Sequence, residues 1–459
     1  MLGDWSEAPD AMFRRLADKL RTEIQTGQLP AGAKLPSERA LATSLGVSRS
    51  TVAAALDQLR GEGLIASRQG SGTRVTRAGV RGQVRGEHRL DTFVGFAANL
   101  DHIDLRSAAL HGLPIVADVV GNLDSPQLRS LVPGHGYLPE GLPDLREKVA
   151  DYYTKMDLPT TADQILITSG AQQGLRVLVR ALLEAGTPVL IEEPSFRGAI
   201  ETLRSEGARL SPVPTDEEGI KPAALERAIV ASRAKIVFLQ ATASNPRGST
   251  MSAHRRREIA RIADRCGVTI IEDAAVVDAC IDETPPPPIA KHCPTSIVLG
   301  SASKSFWGGL RVGWIRTTPA IATQLASVKG SEDLGTSLIG QLATAALLPR
   351  IDEARLLRRA HLRIQRETLT SALDVYLPEW TYAVPTGGAS LWARLPRGNA
   401  TALAQRAVRQ GVSVLPGPIF SSIDHLNEYI RISFAYEPAT IAEGVARLAG
   451  AWEAYTSEA

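Results

Sequence analysis

Residues 298–314 read VLGSASKSFWGGLRVGW, and this stretch places one lysine, Lys304, directly after an apolar segment. The pattern predicts a buried strand that ends in a turn rich in serine and glycine. Burial disfavours the ammonium form and lowers the pKa of a lysine, so an amine in this position can act as a nucleophile. A neutral amine condenses with an aldehyde to form an imine. The alternative interpretation is an ordinary surface lysine on a loop.

The side chains around Lys304 suit a phosphorylated aldehyde. Ser301 and Ser303 offer hydroxyl groups, and Arg311 offers a planar fork that matches a phosphate. This set resembles the cofactor-lysine segment of fold type I pyridoxal-phosphate proteins. The resemblance implies that pyridoxal 5'-phosphate is bound through a lysine aldimine at Lys304.

Apolar strand-like segments alternate with helices from about residue 95 to about residue 345, including QILITSG, PVLIEE and VTIIEDA. This alternation predicts an α/β fold with a mostly parallel sheet covered by helices on both faces. Longer helices and the strand YIRISFA follow, which predicts a smaller C-terminal α+β subdomain over about 345–459. The whole effector domain is predicted to span 96–459.

Ligands of open α/β sheets gather at the carboxyl ends of the strands. TSGAQQG leads from a strand into a helix, so the backbone amides near Gly170, Ala171 and Gln172 can hold a phosphate. Asp273 ends the strand in IIEDAA, where a carboxylate would keep a pyridine nitrogen protonated. Phe196 in EEPSFRG occupies the place where the family stacks an aromatic ring on the pyridine. A core phenylalanine and a helix-capping aspartate are the alternatives.

The same resemblance implies three further site residues. Asn245 in SNPRG would bond the 3-oxygen of the cofactor, and Arg431 in YIRISFA would bind a ligand carboxylate. Tyr137 in HGYLPEG would reach the phosphate bound by the partner subunit, which implies a homodimer. A turn-forming asparagine and an arginine on an edge strand are the alternatives. Arg247 replaces the usual threonine of the asparagine turn and adds charge beside the cofactor.

One expected hydroxyl group is missing from the sequence. Many family members follow the acidic pair with a tyrosine that bonds the 3-oxygen, whereas this chain has Ala274, Ala275 and Val276. Because that tyrosine tunes the basicity of the imine during catalysis, its loss argues against an efficient aminotransferase more than against cofactor binding.

The first 76 residues have the pattern of a winged helix-turn-helix. Apolar spacing predicts a helix over 11–27, a second from Ser37 to Gly46 and a third capped by Ser48, followed by a hairpin around RQGSG. Between Arg49 and Arg89 lie eight arginines and three acidic residues, an excess of five positive charges that suits a phosphate backbone. Residues 77–95 read as a flexible basic linker.

The stretches LPSERALATSLGVSRSTV and SRQGSGTRV resemble GntR-type regulators. Joined to an aminotransferase-like domain, they indicate the MocR subfamily of bacterial transcription factors. The resemblance implies that the chain contacts a double-stranded DNA operator through Arg39, Arg49, Ser50, Thr51, Gln69 and Gly70. A solvated basic surface is the alternative for the charge alone.

These observations favour a homodimeric, DNA-binding transcription regulator that senses pyridoxal phosphate or an amino compound. An active aminotransferase with an added DNA-binding domain is the second interpretation, and a DNA-binding protein with an empty scaffold is the third. Cys266, Cys280 and Cys293 have no spacing typical of disulfides or metal sites, so no metal is expected. No signal peptide or membrane span is expected, which favours a cytoplasmic protein.

Overall fold

The computed structural model describes residues 12–25, 29, 33–45, 47–62, 64–68, 72–76, 101–123 and 126–457. The chain divides into two compact units, Met1–Asp91 and Thr92–Ala459. The predicted linker at 77–95 and the predicted wing residues Gln69 and Gly70 lie outside the described residues.

The N-terminal unit contains three helices and a hairpin, namely α1 (Met12–Gln25), α2 (Glu38–Leu45), α3 (Arg49–Gly61), β1 (Ile65–Arg68) and β2 (Gly72–Val75). The hydroxyl group of Ser48 accepts a hydrogen bond from the amide of Thr51 and caps α3. Val52, Leu56 and Leu59 are buried, as their spacing predicts. Because these apolar side chains of α3 face the core, the polar side chains of the helix lie on its opposite, outer face.

The second unit is built on an eight-stranded sheet in the order β4-β11-β10-β9-β8-β5-β6-β7. Its strands are β4 (Ile165–Thr168), β5 (Pro188–Glu193), β6 (Arg209–Asp216), β7 (Gly219–Ile220), β8 (Ile236–Leu239), β9 (Thr269–Asp273), β10 (Ile297–Ser301) and β11 (Gly313–Arg316). β5, β6, β8, β9 and β10 pair in parallel, whereas β11 and β7 pair antiparallel to their neighbours. The predicted mostly parallel sheet is therefore confirmed.

Helices cover this sheet, and their apolar side chains pack against those of the strands. They are α4 (Pro114–Gly121), α5 (Pro126–Leu131), α6 (Pro143–Lys155), α7 (Ala171–Leu182), α8 (Arg197–Ser205), α9 (Pro222–Ser232), α10 (Ala253–Cys266), α11 (Ala302–Ser305), α12 (Pro319–Asp333) and α13 (Leu338–Leu347). Short connections bring α7, α8 and α11 directly after the carboxyl ends of β4, β5 and β10. Polar side chains at these ends can therefore converge.

A second sheet forms the smaller subdomain, in the order β12-β13-β16-β15. Its strands are β12 (Thr381–Tyr382), β13 (Ser390–Arg394), β15 (Leu415–Pro416) and β16 (Tyr429–Ser433), and its helices are α14 (Ile351–Tyr376), α15 (Ala400–Arg409) and α16 (Pro438–Ser457). A two-residue strand, β3 (Ile103–Asp104), pairs with β14 (Val412–Ser413). The small subdomain thus includes residues from the start of this unit, which the predicted span of about 345–459 leaves out.

Within the part of the chain that the structure describes, we find no helix that is both long and apolar enough to cross a membrane.

Candidate functional site: a cofactor pocket at the carboxyl ends of the strands

A cavity of about 150 Å³ opens at the carboxyl ends of β4, β9 and β10. Eight of the residues predicted from the sequence line it: Gly170, Ala171, Gln172, Phe196, Asp273, Ser301, Ser303 and Arg311. Leu175, Ala275 and Leu299 complete the wall. The structure therefore brings together side chains that are up to 141 positions apart in the sequence, from Gly170 to Arg311.

One end of the cavity suits a phosphate. Gly170 has φ +96° and immediately precedes α7, so the first amides of this helix face outward without helical partners. Arg311 donates a hydrogen bond of 2.8 Å to the carbonyl oxygen of Ser169. A Cβ added at Gly313 would lie 2.6 Å from the carbonyl carbon of Gly170, so this close approach of two backbones requires glycine. Arg311 and the helix terminus together form a site for an anion.

The other end of the cavity holds a buried carboxylate. Asp273 is 6% exposed and accepts hydrogen bonds from the Gln240 amide (2.9 Å) and the Ala275 backbone (3.0 Å). Burial raises the pKa of Asp273, and the hydrogen bonds from its two neutral donors offset this rise only in part. A protonated pyridine nitrogen would supply the missing positive charge. The residues present therefore fit pyridoxal phosphate, with Arg311 at its phosphate and Asp273 at its ring nitrogen.

Gln240 is a site residue that the sequence analysis missed. It follows β8, is 3% exposed, and its side-chain oxygen accepts the backbone amide of Asn245 at 2.9 Å. Gln240 thereby fixes Asp273 and the asparagine turn in one arrangement. A polar residue directly after a buried parallel strand was the signal that could have identified it.

Lys304 lies on α11, whose N-terminus is capped by Ser301. Its ammonium group donates a 2.5 Å hydrogen bond to the carbonyl oxygen of Ala108. Burial, and then the charges of Arg431 and Arg358, lower the pKa of Lys304 to about 8. About a tenth of this amine is therefore neutral at pH 7 and available as a nucleophile.

Arg358 holds the backbone on which Lys304 lies. Its guanidinium, on α14, donates to the carbonyl oxygens of Lys304 (2.9 Å), Phe306 (2.6 Å) and His111 (2.6 Å). The bonds to Lys304 and Phe306 satisfy carbonyl groups at the end of the short helix α11, where no helical amide is left to bond them, and the third bond holds the loop before α4. The long helix of the small subdomain is thus fastened to the lysine turn.

Arg431 extends from β16, which lies between β13 and β15, so the alternative of an edge-strand arginine is wrong. Its guanidinium donates to Asn245 Oδ1 (3.2 Å) and to the backbone oxygen of Arg106, and it lies 5.1 Å from the ring centre of Phe420. Burial, and then the charge of Arg197, lower the pKa of Arg431 to about 9. The Nε atom of Arg431 is buried without a hydrogen-bond partner, so a ligand carboxylate would complete its contacts.

Tyr137 lies outside the cavity of its own chain, and no tyrosine is present where one was expected after Asp273. Tyr137 is 57% exposed in the loop before α6 and does not line the cavity of its own chain. Its predicted contact with a partner subunit remains a prediction. Ala275 lines the cavity with a methyl group, and it is one of the three residues, Ala274, Ala275 and Val276, that stand where the resemblance led us to expect a tyrosine.

The predicted DNA contacts lie on α2 and at the start of α3. Arg39 is exposed, and the side chain of Arg49 is 74% exposed and 3.8 Å from Glu38. The hydroxyl groups of Ser50 and Thr51 both lie within 2.8 Å of the Ser48 hydroxyl.

The basic character of this unit is smaller than its arginine count suggests. Arg60 pairs with Asp57 and with Glu38 (3.4 Å), so its charge is partly compensated within the unit. Arg49, at the exposed start of the same helix, is the better placed of the two for a DNA phosphate.

Fold and site together define a class of protein: a helix-turn-helix unit of the DNA-binding type joined to an aminotransferase-like unit with a cofactor pocket. Residues 13–75 match the family "Bacterial regulatory proteins, gntR family", and residues 124–448 match "Aminotransferase class I and II". The chain belongs to the MocR-type GntR regulators, which join these two domains.

Two relatives named as regulators align with more than nine-tenths of this chain. The HTH-type transcriptional regulator YisV of Bacillus subtilis is 30% identical, with 93% of this chain and 92% of YisV aligned. The probable rhizopine catabolism regulatory protein MocR of Rhizobium meliloti is 28% identical, with 98% and 96% aligned. Among solved structures, the α-aminoadipate aminotransferase LysN of Thermus thermophilus, complexed with N-(5'-phosphopyridoxyl)-L-leucine, is 28% identical with a TM-score of 0.75. That comparison covers 82% of this chain and 98% of LysN.

Proposed function

We propose that this protein is a pyridoxal-phosphate-dependent transcription regulator in which ligand chemistry at Lys304 changes the affinity for operator DNA. The observation that carries the proposal is the pocket itself, which is lined by the buried carboxylate of Asp273, by Arg311 and by Ser303, in a GntR-type chain. Lys304, whose pKa is lowered to about 8, does not line the cavity but directly follows Ser303 on α11. We propose a homodimer that acts in the cytoplasm, where the DNA is.

The residues of this chain have separate tasks in the proposal. Arg311 and the start of α7 bind the phosphate, Asp273 holds a proton on the ring nitrogen, and Phe196 covers the ring. Lys304 supplies the amine for covalent attachment as an imine. When bound, the cofactor would supply an electrophilic aldehyde carbon that can bond either to the amine of Lys304 or to the amine of an effector, with the displaced amine released.

A ligand amino acid would place its carboxylate at Arg431, whose buried Nε atom has no hydrogen-bond partner. Asn245 orients that guanidinium through its side-chain oxygen. Effector binding would therefore change the hydrogen bonds on both sides of Asn245, toward the cofactor and toward the small subdomain. Pyridoxal phosphate itself, or an amino compound with a carboxylate, is the proposed effector class.

An active aminotransferase is the second candidate, and one observation favours it. Arg431 occupies an interior strand in contact with Asn245, an arrangement that would suit a substrate carboxylate as well as an effector. The methyl group of Ala275 in place of a hydroxyl favours the regulator, because proton transfer during turnover loses a group that would tune it.

One preparation tests both candidates. Binding to DNA from the protein's own upstream region is measured with and without pyridoxal phosphate and a panel of amines, and keto-acid production is measured across the same panel. The regulator should show a change of operator affinity of about 5- to 150-fold with the ligand state and little turnover. Sustained turnover, together with operator affinity indifferent to every ligand and to cofactor removal, would establish the aminotransferase instead.

A further inference from the structure

A second cavity, larger than the cofactor pocket, lies between the large sheet and the small subdomain of the second unit. Its volume is about 560 Å³, within the range of roughly 300–1,000 Å³ that is usual for small-molecule sites. It shares no lining residue with the cofactor pocket. Glu217 and Arg247 line the second cavity on the side of the large sheet. Tyr382, Trp392, Arg394 and Tyr429 line it on the side of the small subdomain.

Two buried hydrogen-bond donors on this wall have no acceptor among the residues that the structure describes. Trp392 is 6% exposed and its indole Nε1 atom has no partner, and the same holds for the buried Nε atom of Arg247. Buried tryptophan N–H groups usually find a partner, and leaving such a donor unpaired costs about 1–3 kcal/mol. Both donors belong to residues that line the cavity, so a ligand there that carries acceptor oxygens could pair with them.

The charge of the cavity wall also favours a ligand with acceptor oxygens, because it is positive. Arg247 and Arg394 form no ion pair with a described residue, and the wall holds one acidic residue, Glu217. The carboxyl group of Glu192 also lies near Arg247, but burial raises its pKa to about 8, so it is mostly protonated at neutral pH and does not neutralise the arginine. Two cationic side chains therefore face a cavity that a small molecule can enter.

We propose that this cavity is a second ligand site, which binds a small anion carrying carboxylate or phosphate oxygens. Arg247 and Arg394 provide the positive charge, and Trp392 provides an N–H donor. Trp392 is itself held by the parallel ring of Tyr429, with ring centres 5.2 Å apart and planes 6° apart.

Two short routes join this site to the cofactor pocket. Arg247 lies two residues after Asn245 in the turn that contacts Arg431. On the other side, the Trp392 ring meets the ring of Phe420 edge-on at 5.5 Å, and Phe420 lies under Arg431. An anion in the second site would therefore shift the positions of Asn245 and Arg431, which receive the effector in the proposed function. This regulatory consequence rests on the proposed function, whereas the binding step does not.

Calorimetric titration of the full chain with succinate, and separately with inorganic phosphate, tests the site. The protein is first saturated with pyridoxal phosphate, so that the phosphate end of the cofactor pocket is filled. We expect at least one of the two anions to bind with a Kd of about 1 mM or tighter. Arg247→Gln combined with Arg394→Gln should weaken that binding about tenfold or more, because two charge-assisted contacts are lost. Trp392→Phe keeps the aromatic stack and should weaken binding several-fold.

The control variant carries Arg227→Gln and Arg409→Gln, which remove the same charge from exposed helix positions outside the cavity and should leave the Kd unchanged. Arg431→Gln should also retain binding, since the second site does not include it. Absence of binding by both anions up to about 20 mM overturns the proposal. Binding that is lost in Arg431→Gln but kept in the cavity variant overturns it too, because the anion would then lie at the effector position. A missing visible cofactor band counts against the proposed function alone.

Discussion

At the scale of single residues, Lys304 has the most direct chemical consequence. Its pKa is lowered to about 8, so its neutral fraction rises with pH up to that value. We expect the rate of pyridoxal-phosphate attachment to the cofactor-free protein to rise about tenfold per pH unit well below 8 and to level off above it. Stopped-flow absorbance in the visible region measures this rate.

Lys304→Ala should abolish the visible band while the thermal unfolding midpoint remains near that of the wild type. Lys291→Ala is the matched control, because Lys291 is an exposed lysine paired with Asp157 outside the pocket. A band that survives in Lys304→Ala would show that another lysine carries the cofactor.

The residue scale also separates what sequence can predict from what it cannot. Lys304 and Asp273 were identified because each follows an apolar strand, where a charged group is unusual without a function. Gln240 and the carbonyl group of Ala108 were missed, since their roles depend on contacts across the fold: 33 positions separate Gln240 from Asp273, and 196 separate Ala108 from Lys304. The pairing of Ala108 with Lys304 leaves no local pattern. Gln240 has a local signal, its position directly after a buried parallel strand, but that signal does not reveal its distant partner Asp273.

At the scale of elements, helix α3 is predicted to be the DNA-reading helix. Arg49→Ala should weaken operator binding and reduce the slope of log Kd against log salt by about one, because one phosphate contact is lost. Arg60→Ala on the same helix is the control, since Arg60 pairs with Asp57 and Glu38 and should contribute little to the slope. Fluorescence anisotropy across a salt series gives both slopes, and equal slopes for Arg49→Ala and the wild type would contradict the assignment.

Element patterns were readable where the hydrophobic period was uninterrupted. The strands that became β4, β5, β9 and β10 were all predicted, but β6 (Arg209–Asp216) was not. Pro212 and Pro214 interrupt its pattern, and prolines are tolerated there because only the end of β6 pairs with the short strand β7. β3 was missed because two residues are too few to show a period.

At the scale of the whole molecule, we expect two chains to act together. Sedimentation should give twice the 49.0 kDa mass of one chain. Tyr137→Phe should weaken cofactor binding without changing the unfolding midpoint, because this tyrosine is 57% exposed in its own chain and its predicted phosphate lies in the partner. Tyr376→Phe, at a 51% exposed tyrosine, is the control. A stable monomer that is fully loaded with cofactor would contradict both expectations.

The helix α14 gives the molecule a mechanical property. Ile351 and Ala354 near its start pack in the core of the large sheet, whereas Leu362 and Leu369 pack in the core of the small subdomain. From Arg358, which holds the lysine turn, to the end of the helix the axis rises about 27 Å. A tilt of about 5° around the arginine would therefore displace the far end by about 2 Å. Because Arg358 holds the lysine turn, a small change of bonding at Lys304 would tilt α14 slightly. The length of the helix would enlarge that tilt into a displacement of about 2 Å at its far end, on the surface of the small subdomain.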